Sequence, residues 1–334
     1  MRAMVLERQG PIESTPLVMR DVPEPEPVSG EVRIRVRACA ICRTDLHVID
    51  GDLPPVKMPL VPGHQVVGVI DRLGAAESRF SVGDRVGIAW LRYTDGTCRF
   101  CLRGRENLCP NSAYTGYTAD GGYAEYAIVP EDFTYALPEG LGDAEVSPLL
   151  CAGLIGYRAL DRASVPPGGK LLLIGFGSSA HVVIQLALHR GHRVFVVSRA
   201  EKHLKLSREL GAEWAGSDLA DVPEKMDSAI LFAPVGDLVP PTLSVLDRGG
   251  ILSIAGIHLS DVPSLNYEKH LFYEREVRSV TANTREDGRK LLEEAIRAGV
   301  RPHVQCFGLE EANRALTDLK HDGIEGTGVL IIGS

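Results

Sequence analysis

The sequence of 334 residues contains no apolar run that approaches the roughly 20 residues of a membrane-spanning helix. Its N-terminal stretch, MRAMVLERQG, lacks an apolar core, so we expect no signal peptide. Basic residues are outnumbered, because 36 lysines and arginines stand against 44 aspartates and glutamates. The resulting formal charge of -8 argues against nucleic acid or an acidic membrane as a partner.

The cysteines do not suggest a disulfide framework. There are seven of them, an odd number, and they cluster at spacings typical of metal sites. This pattern favours reduced thiols in a cytoplasmic protein. The composition is that of an ordinary globular protein, with 44% hydrophobic residues, and the length suits two domains.

The pattern of apolar residues changes along the chain. Up to about residue 150 the sequence favours β-structure, with EVRIRVRACA alternating in period two and VVGVIDRLG and YAEYAIVP as further strands. From Gly169 onward, predicted strands and helices alternate, which indicates a parallel sheet with helices on both faces. Two helical stretches, REDGRKLLEEAIRAG and LEEANRALTDLKHD, and a last strand, GVLIIG, complete the chain.

The stretch GFGSSA follows a predicted strand and opens a predicted helix. It fits the pattern G-x-G-x-x-G/A with Gly175, Gly177 and Ala180. The glycines permit a tight turn close to a pyrophosphate, which the helix N-terminus then faces. We therefore predict a dinucleotide site that includes Gly175, Gly177 and Ser178. An ordinary glycine-rich turn is the alternative.

The end of the next strand bears on the choice of cofactor. NAD-binding units carry an acidic residue there, about 20 residues after the glycine turn, for the ribose hydroxyls. Here the strand ends in Ser198 and Arg199, followed by Lys202 and His203, with no acid at its end. A hydroxyl and a guanidinium suit a 2′-phosphate. This favours NADP(H) over NAD(H), unless Arg199 is only a solvated surface charge.

Two groups of residues have the spacing of metal ligands. The stretch ACAICRTDLH holds Cys39 and Cys42 as a C-x2-C pair. The stretch TDGTCRFCLRGRENLCP holds Cys98, Cys101 and Cys109, one ligand short of the four that a structural zinc site needs. Spacing alone identifies neither the fourth ligand of the second group nor the partners of the first.

These motifs resemble the zinc-dependent alcohol dehydrogenases of the medium-chain dehydrogenase/reductase superfamily, over essentially the whole chain. C-R-T-D-L-H is similar to the family's C-[RH]-[ST]-D-x-H, whose cysteine binds the catalytic zinc and matches Cys42 rather than Cys39. The family's ligand histidine matches His64 in PGHQ, and its third ligand matches Cys151 in CAG. The resemblance thus implies a catalytic zinc with a fourth position open to water or substrate.

The same resemblance implies roles for the neighbouring residues. It implies that Thr44 is the hydroxyl beside the zinc-bound oxygen and that His47 is the relay histidine. It also implies that Asp45 is the carboxylate that orients the ligand histidine and that Arg43 contacts the pyrophosphate. Cys39 then becomes a small buried apolar residue.

The sequence departs from the family at two positions and leaves the substrate open. Gln65 stands where the family has a glutamate after the ligand histidine, and Ile155 where relatives often carry a threonine against the nicotinamide. Trp90 and Leu91 occupy positions that line the substrate pocket in relatives. This suggests an apolar substrate, although Trp90 could equally belong to the core.

The family's structural zinc lobe reads C-G-x-C-x2-C-x7-C, and residues of about 94–110 are similar to it. The first cysteine of that pattern falls on Asp95. A carboxylate oxygen can bind zinc, so Asp95 can complete a site with the three cysteines of the lobe. The alternative is that the lobe has lost its zinc and that Asp95 is a turn residue.

The resemblance implies a fold and an activity. We expect a mainly-β GroES-like catalytic domain over 1–152 and 285–334, and a Rossmann domain over 153–284. We expect hydride transfer between a small alcohol or aldehyde (or ketone) and a nicotinamide cofactor, two zinc ions per chain, and a homo-oligomer, either dimer or tetramer. A zinc-free quinone or enone reductase of the same superfamily, or a non-enzymatic NADPH-binding protein, is the alternative.

Overall fold

A computed structural model of the protein describes residues 1–333. The strands are β1 (Arg2–Leu6), β2 (Leu17–Asp21), β3 (Glu31–Ala40), β4 (Gln65–Leu73), β5 (Arg85–Ile88), β6 (Leu91–Tyr93), β7 (Ala113–Tyr114), β8 (Tyr126–Pro130), β9 (Thr134–Ala136), β10 (Lys170–Ile174), β11 (Arg193–Val197), β12 (Trp214–Gly216), β13 (Met226–Leu231), β14 (Leu246–Ile254), β15 (Glu276–Ser279), β16 (Val304–Gly308) and β17 (Thr327–Ile331). The α-helices are α1 (Arg43–Asp50), α2 (Asp143–Val146), α3 (Ala152–Ala163), α4 (Ser178–His189), α5 (Glu201–Glu209), α6 (Val239–Val245), α7 (Tyr267–His270), α8 (Arg285–Arg297) and α9 (Ala312–Lys320). Short 3-10 helices cover Ile12–Ser14, Cys101–Arg103, Glu106–Leu108, Glu131–Phe133, Ser147–Leu150, Leu219–Asp221, Gly236–Leu238 and Leu309–Glu311.

The chain forms two compact units. The first comprises Met1–Ala152, Ala282–Glu293 and the chain from Arg301 onward, and the second comprises Gly153–Thr281 and Glu294–Val300. The sequence-based division placed 285–334 together. In the structure, the end of α8 belongs to the second unit because Glu294 there accepts hydrogen bonds from Arg190, with Nε to Oε1 at 2.7 Å.

The first unit is built on a seven-stranded sheet. Its strand order is β16-β17-β3-β4-β5-β9, and β8 pairs with the first half of β3. The alternation in EVRIRVRACA holds, since Ile34 and Val36 are buried whereas Arg35 and Arg37 are exposed. The middle of β3 therefore alternates between core and solvent as period two requires, whereas Arg33 and Cys39, on the same face as Arg35 and Arg37, are buried.

The second unit is a doubly wound parallel sheet. Its order, β12-β11-β10-β13-β14-β15, is that of a Rossmann fold, in which the first strand lies in the middle. Strands β10 and β13 are buried almost throughout, as expected for the central strands of a parallel sheet, and β10 is apolar from Leu171 to Ile174. The predicted fold class, with a mainly-β unit and a Rossmann unit, is confirmed. Among residues 1–333, no helix combines the length and the apolar character that crossing a bilayer requires.

Candidate active site

Three side chains with metal-ligating atoms converge in the first unit. Strand β3 ends at Ala40 and β4 begins at Gln65, and these two residues pair across the antiparallel ladder. Cys42 and His64, just beyond those strand ends, therefore come together. The Sγ atoms of Cys42 and Cys151 and a ring nitrogen of His64 all lie within 4.8 Å of one another. Two thiols and one imidazole form the donor set of a catalytic zinc site.

Cys151 reaches this group at the end of the 3-10 helix Ser147–Leu150. Its Sγ lies 4.0 Å from that of Cys42. The next residue, Ala152, donates its backbone N–H to Oε1 of the fully buried Gln65 at 3.3 Å. Gln65 thus ties the segment that carries Cys151 to the start of β4.

Asp45 orients the imidazole of His64. Cys42 is the N-cap of α1, and its backbone N–H donates to Asp45 Oδ2 at 2.8 Å. The other carboxylate oxygen, Oδ1, lies 2.9 Å from His64 Nδ1. Because a carboxylate only accepts, Nδ1 carries a proton, and in the neutral imidazole Nε2 therefore carries the lone pair. Nε2 is buried and has no hydrogen-bond partner among residues 1–333, which fits a metal ligand.

The electrostatics of the three groups also suit a cation. Burial lowers the pKa of His64, but the Asp45 carboxylate and the Cys42 sulfur outweigh it and raise that pKa to about 10. The neighbouring Cys151 thiol holds the pKa of Cys42 well below its ordinary value, whereas the pKa of Cys151 is raised well above it. A divalent cation held by these three residues would favour the thiolate form of both cysteines and the neutral form of the imidazole.

The hydroxyl and the histidine assigned to proton movement lie on α1. Thr44 is buried, and its Oγ1 lies 3.6 Å from Cys42 Sγ. His47, one turn further, has Nδ1 at 2.7 Å from Asp52 Oδ2. Gly51 ends the helix in the left-handed region with φ of 95°, which turns the chain back so that Asp52 lies beside His47.

Arg43 and Cys39 are placed very differently. The Arg43 guanidinium is exposed and donates to Asp322 Oδ1 at 2.9 Å, so it meets solvent at the first residue of α1. Cys39 is completely buried in the core, and its sulfur is not part of the group formed by Cys42, His64 and Cys151. Burial raises the pKa of Cys39 well above its ordinary value.

Aromatic rings lie next to the ligand histidine. Trp90 meets His64 edge to face with ring centroids 5.0 Å apart, and it stacks with Tyr114 at 5.0 Å and with Tyr117 at 5.9 Å. Leu91, in contrast, is only 1% exposed and belongs to the apolar core. Of the two residues predicted to line a pocket, Trp90 is the one with a partly accessible side chain.

A second metal-capable group lies in the lobe of residues 94–110. Its members are Asp95, Cys98, Cys101 and Cys109, whose ligand atoms all lie within 4.8 Å of one another. The Asp95 carboxylate accepts the backbone N–H of Thr97 at 3.0 Å and of Cys98 at 2.9 Å on Oδ1, and Asn111 Nδ2 at 2.9 Å on Oδ2. The Cys98 N–H bond and then the Asn111 bond lower the pKa of Asp95, so it is an anion at neutral pH. The position of the missing cysteine is thus filled by a charged oxygen donor.

An ion pair between Glu106 and Arg285 ties the lobe to the rest of the first unit. Glu106 is 9% exposed, and its Oε1 accepts the backbone N–H of Arg285 at 2.7 Å. Its Oε2 accepts Arg285 Nη2 at 2.7 Å. Burial raises the pKa of Glu106, but the bonds to Arg285 outweigh it and lower that pKa. The Arg285 guanidinium also lies over the ring of Phe133, 4.5 Å from its centroid.

The glycine turn of the second unit has the geometry of a dinucleotide site. Gly175 follows β10 with φ of 84°, and its N–H donates to Val197 O at 2.8 Å. Gly177 is the N-cap of α4, which begins at Ser178. A Cβ atom on Gly177 would meet nothing within 4 Å among the described residues, so the turn leaves open space before the N-terminus of a 12-residue helix. Such a space suits a pyrophosphate.

Ser198 and Arg199 directly follow β11, the strand beside β10. Ser198 is held by its N–H to Gly216 O at 3.0 Å, and its hydroxyl lies 3.3 Å from His203 Nδ1. Arg199 is exposed. The nearest acid in sequence is Glu201, which begins α5 and pairs with Arg208 at 3.2 Å. A hydroxyl, an imidazole and a guanidinium therefore occur together at this strand end.

Comparison with known proteins identifies the family. Residues 28–139 match the family model described as the alcohol dehydrogenase GroES-like domain. The "Probable alcohol dehydrogenase AdhA" of Mycobacterium tuberculosis is 51% identical over 99% of this chain and 97% of its own length. The chain belongs to the zinc-type medium-chain dehydrogenase/reductase family. The predicted resemblance is confirmed.

Other proteins of this type are similar from end to end. An alcohol dehydrogenase of Geobacillus stearothermophilus is 35% identical over 94% of this chain and 95% of that one. The crystal structure of an NAD-dependent alcohol dehydrogenase superposes with a TM-score of 0.90 at 26% identity and covers 100% of both chains. A thermostable alcohol dehydrogenase of Pyrobaculum aerophilum, solved with cobalt and zinc bound, superposes with a TM-score of 0.89 at 26% identity over 99% of both chains. These relatives make the chain an oxidoreductase of the alcohol dehydrogenase class.

Sequence reasoning missed three residues that surround the two metal-capable groups of this dehydrogenase. Tyr123 donates its hydroxyl to Asp45, Asp52 contacts His47, and Glu106 fastens the lobe. None of them has the spacing of a metal ligand. For Asp52 the glycine before it was a usable signal, because a helix that ends in a left-handed glycine brings the next residue back over its last turn. For Tyr123 and Glu106 the sequence carries no signal.

Proposed function

We propose that the protein is a zinc-dependent alcohol dehydrogenase or aldehyde reductase, which moves a hydride between a small alcohol, aldehyde or ketone and a nicotinamide cofactor. The observation that carries the proposal is the group of Cys42, His64 and Cys151, whose ligand atoms lie within 4.8 Å of one another and in which the buried His64 Nε2 has no hydrogen-bond partner among residues 1–333. A zinc-free reductase has no need of such a donor set. Three protein ligands leave one position for the substrate oxygen.

Zinc held by these three residues would act as a Lewis acid on the substrate oxygen and favour its deprotonated form. The chain's own residues handle the proton. The buried Thr44 hydroxyl, close to Cys42 Sγ, is the group that can pass a proton to or from that oxygen. His47, paired with Asp52, is the group that can hold it near solvent. Trp90 supplies an apolar surface beside His64, which suits an apolar substrate.

The cofactor would supply or accept the hydride. Gly175, Gly177 and Ser178 would hold its pyrophosphate at the start of α4. Ser198 and Arg199 would hold a 2′-phosphate, so NADP(H) is favoured over NAD(H). The support for this preference is the polar and basic character of the end of β11.

A second zinc ion is proposed in the lobe of residues 94–110, on Asp95, Cys98, Cys101 and Cys109. The support is the position of Asp95, whose carboxylate oxygen lies within 4.8 Å of the three sulfur atoms. This ion would be structural, since four protein ligands leave no position for a substrate. The lobe has short 3-10 helices and little apolar core, so a metal would contribute directly to its stability.

A homo-oligomer, dimer or tetramer, completes the proposal. Exposed apolar side chains are concentrated near β15, which lies at one edge of the six-stranded sheet; they are Ile257, Val262, Tyr267, Phe272, Tyr273 and Val277. Exposed apolar surface is typical of an interface, so the segment from Ile257 to Val277 is the proposed contact between copies of the chain. Light scattering on the purified protein should give a multiple of the 36.1 kDa chain mass, and a monomer would contradict this part of the proposal. The cytoplasmic location stays a prediction.

The test is metal analysis combined with an assay on a panel of alcohols and aldehydes. We expect two zinc ions per chain and turnover of at least one substrate class. The variants Cys42→Ala, His64→Ala and Cys151→Ala should lose one zinc and turnover while still binding the cofactor. Cys306→Ala, which removes an exposed thiol outside both groups, is the matched control. Activity like that of the wild type in any of the three ligand variants would contradict the assignment of Cys42, His64 and Cys151 as ligands of a catalytic zinc.

A further inference from the structure

Tyr123 is a buried polar residue that the activity described above does not use. It is 0% exposed, and its hydroxyl donates to Asp45 Oδ2 at 3.0 Å. The backbone on both sides is fixed, because Tyr123 N–H donates to Pro62 O at 3.0 Å and Met4 N–H donates to Tyr123 O at 2.8 Å. The ring therefore has one place in the core, directly beside the segment that carries the ligand histidine.

The hydroxyl completes the set of donors around the Asp45 carboxylate. This carboxylate is 1% exposed. Oδ1 faces His64 Nδ1, while Oδ2 accepts both the backbone N–H of Cys42 and the hydroxyl of Tyr123. A buried carboxylate is costly unless its oxygens are hydrogen-bonded. Two donors on Oδ2 also prevent the carboxylate from rotating about its Cβ–Cγ bond.

We propose that Tyr123 is a positioning residue of the metal centre: its hydroxyl fixes the Asp45 carboxylate, and through it the tautomer and direction of the His64 imidazole. The inference rests on the proposed function in one respect, that Cys42, His64 and Cys151 hold zinc. With Oδ1 held toward Nδ1, the proton stays on Nδ1 and the lone pair of Nε2 stays free to bind a metal ion. Groups that orient a metal ligand in this way typically change metal affinity 10- to 100-fold.

A packing role alone does not require the hydroxyl. The ring of Tyr123 fills the space above Gly63, where a Cβ atom would lie 2.3 Å from Tyr123 Cδ1. Phenylalanine would fill that space equally well, and it would not bring a hydroxyl into a fully buried position. Burial, with the nearby Asp45 carboxylate, raises the pKa of Tyr123 well above its ordinary value, so the hydroxyl keeps its proton and acts as a donor.

The experiment compares zinc release from Tyr123→Phe and the wild type, with both zinc sites of each chain observed in the same sample. A colorimetric chelator removes the ions, and the Cys42→Ala variant identifies the phase that belongs to the Cys42, His64 and Cys151 centre. We expect Tyr123→Phe to lose zinc from this centre about tenfold faster, with the phase of the lobe unchanged. Tyr135→Phe is the matched control, because Tyr135 is also buried in the first unit but its hydroxyl accepts only a 3.4 Å bond from Asn283.

Cobalt substitution supplies a second measurement, the visible absorption of the metal, which would not change if Tyr123 only packed the core. The visible absorption of cobalt at the catalytic centre should shift in Tyr123→Phe and remain as in the wild type in Tyr135→Phe. Equal release rates together with an unchanged cobalt spectrum in Tyr123→Phe would overturn the inference and leave the proposed function standing. A wild type that holds no metal on Cys42, His64 and Cys151 would overturn both.

Discussion

The substitution Gly63→Ala tests the packing that holds the ligand segment in place. Gly63 precedes His64 and has φ of 94°. An alanine there would be destabilised by roughly 1–2 kcal/mol, because a residue with a Cβ atom is disfavoured in the left-handed backbone conformation. Its Cβ would also lie 2.3 Å and 2.6 Å from two carbons of the Tyr123 ring and 3.0 Å from Cys39 Sγ, an overpacking cost of about 1–3 kcal/mol. The expected loss of stability is therefore about 2–5 kcal/mol.

Gly83→Ala separates the two costs. Gly83 has φ of 100°, and a Cβ atom there would meet nothing within 4 Å among the described residues. This variant should lose only the backbone contribution, roughly 1–2 kcal/mol. The difference between the two variants, about 1–3 kcal/mol, measures the clash with the core.

The assay uses the fluorescence of one tryptophan. The chain has two, Trp90 in the first unit and Trp214 in the second. In a Trp214→Phe background, urea unfolding followed through Trp90 reports the first unit alone. Zinc release from the same variants should be faster for Gly63→Ala than for Gly83→Ala, since the clash displaces the residue next to His64. Equal stabilities for the two glycine variants would refute the reasoning from the Tyr123 contact.

Three further predictions concern the lobe and the cofactor. Asp95→Ala should lower the zinc content from two ions per chain to one and reduce the melting temperature, and two tightly held ions in that variant would contradict the proposed ligand. Arg199→Ala should reduce the preference of kcat/KM for NADPH over NADH roughly 10- to 100-fold, chiefly through KM, as expected for one charge-assisted phosphate contact; an unchanged ratio would count against it. Glu106→Gln should destabilise the first unit by about 2 kcal/mol at neutral pH, because Arg285 loses a charged partner. Since the folded-state pKa of Glu106 is lowered, this difference should shrink as the pH falls through that pKa, and a constant gap in urea titrations down to acid would refute the role of the charge.

Local patterns in the sequence predicted the elements that carry their own signal. The alternation over β3, the glycine turn before α4 and the apolar runs of β10 and β13 all gave elements of the predicted type. The edge strands β12 and β15 were not predicted, because an edge strand of three or four residues shows neither alternation nor a continuous apolar run. The short helix α1 was missed for a similar reason, since it spans only Arg43–Asp50.

Cysteine spacing, a local property of the sequence, pointed to Cys98, Cys101 and Cys109, whereas the choice of Cys42 over Cys39 and the partners His64, Cys151 and Asp95 came from the family resemblance. Tertiary structure decided how those residues are held. Tyr123 meets Asp45 across 78 residues of sequence, and Arg285 meets Glu106 across 179. The pairing of β3 with β4 places Cys42 beside His64, and the backbone bond between Tyr123 and Pro62 then places a hydroxyl beside Asp45. Hydrogen bonds of this kind depend on which strands and loops become neighbours in space, and the periodicity of apolar residues does not predict those neighbours.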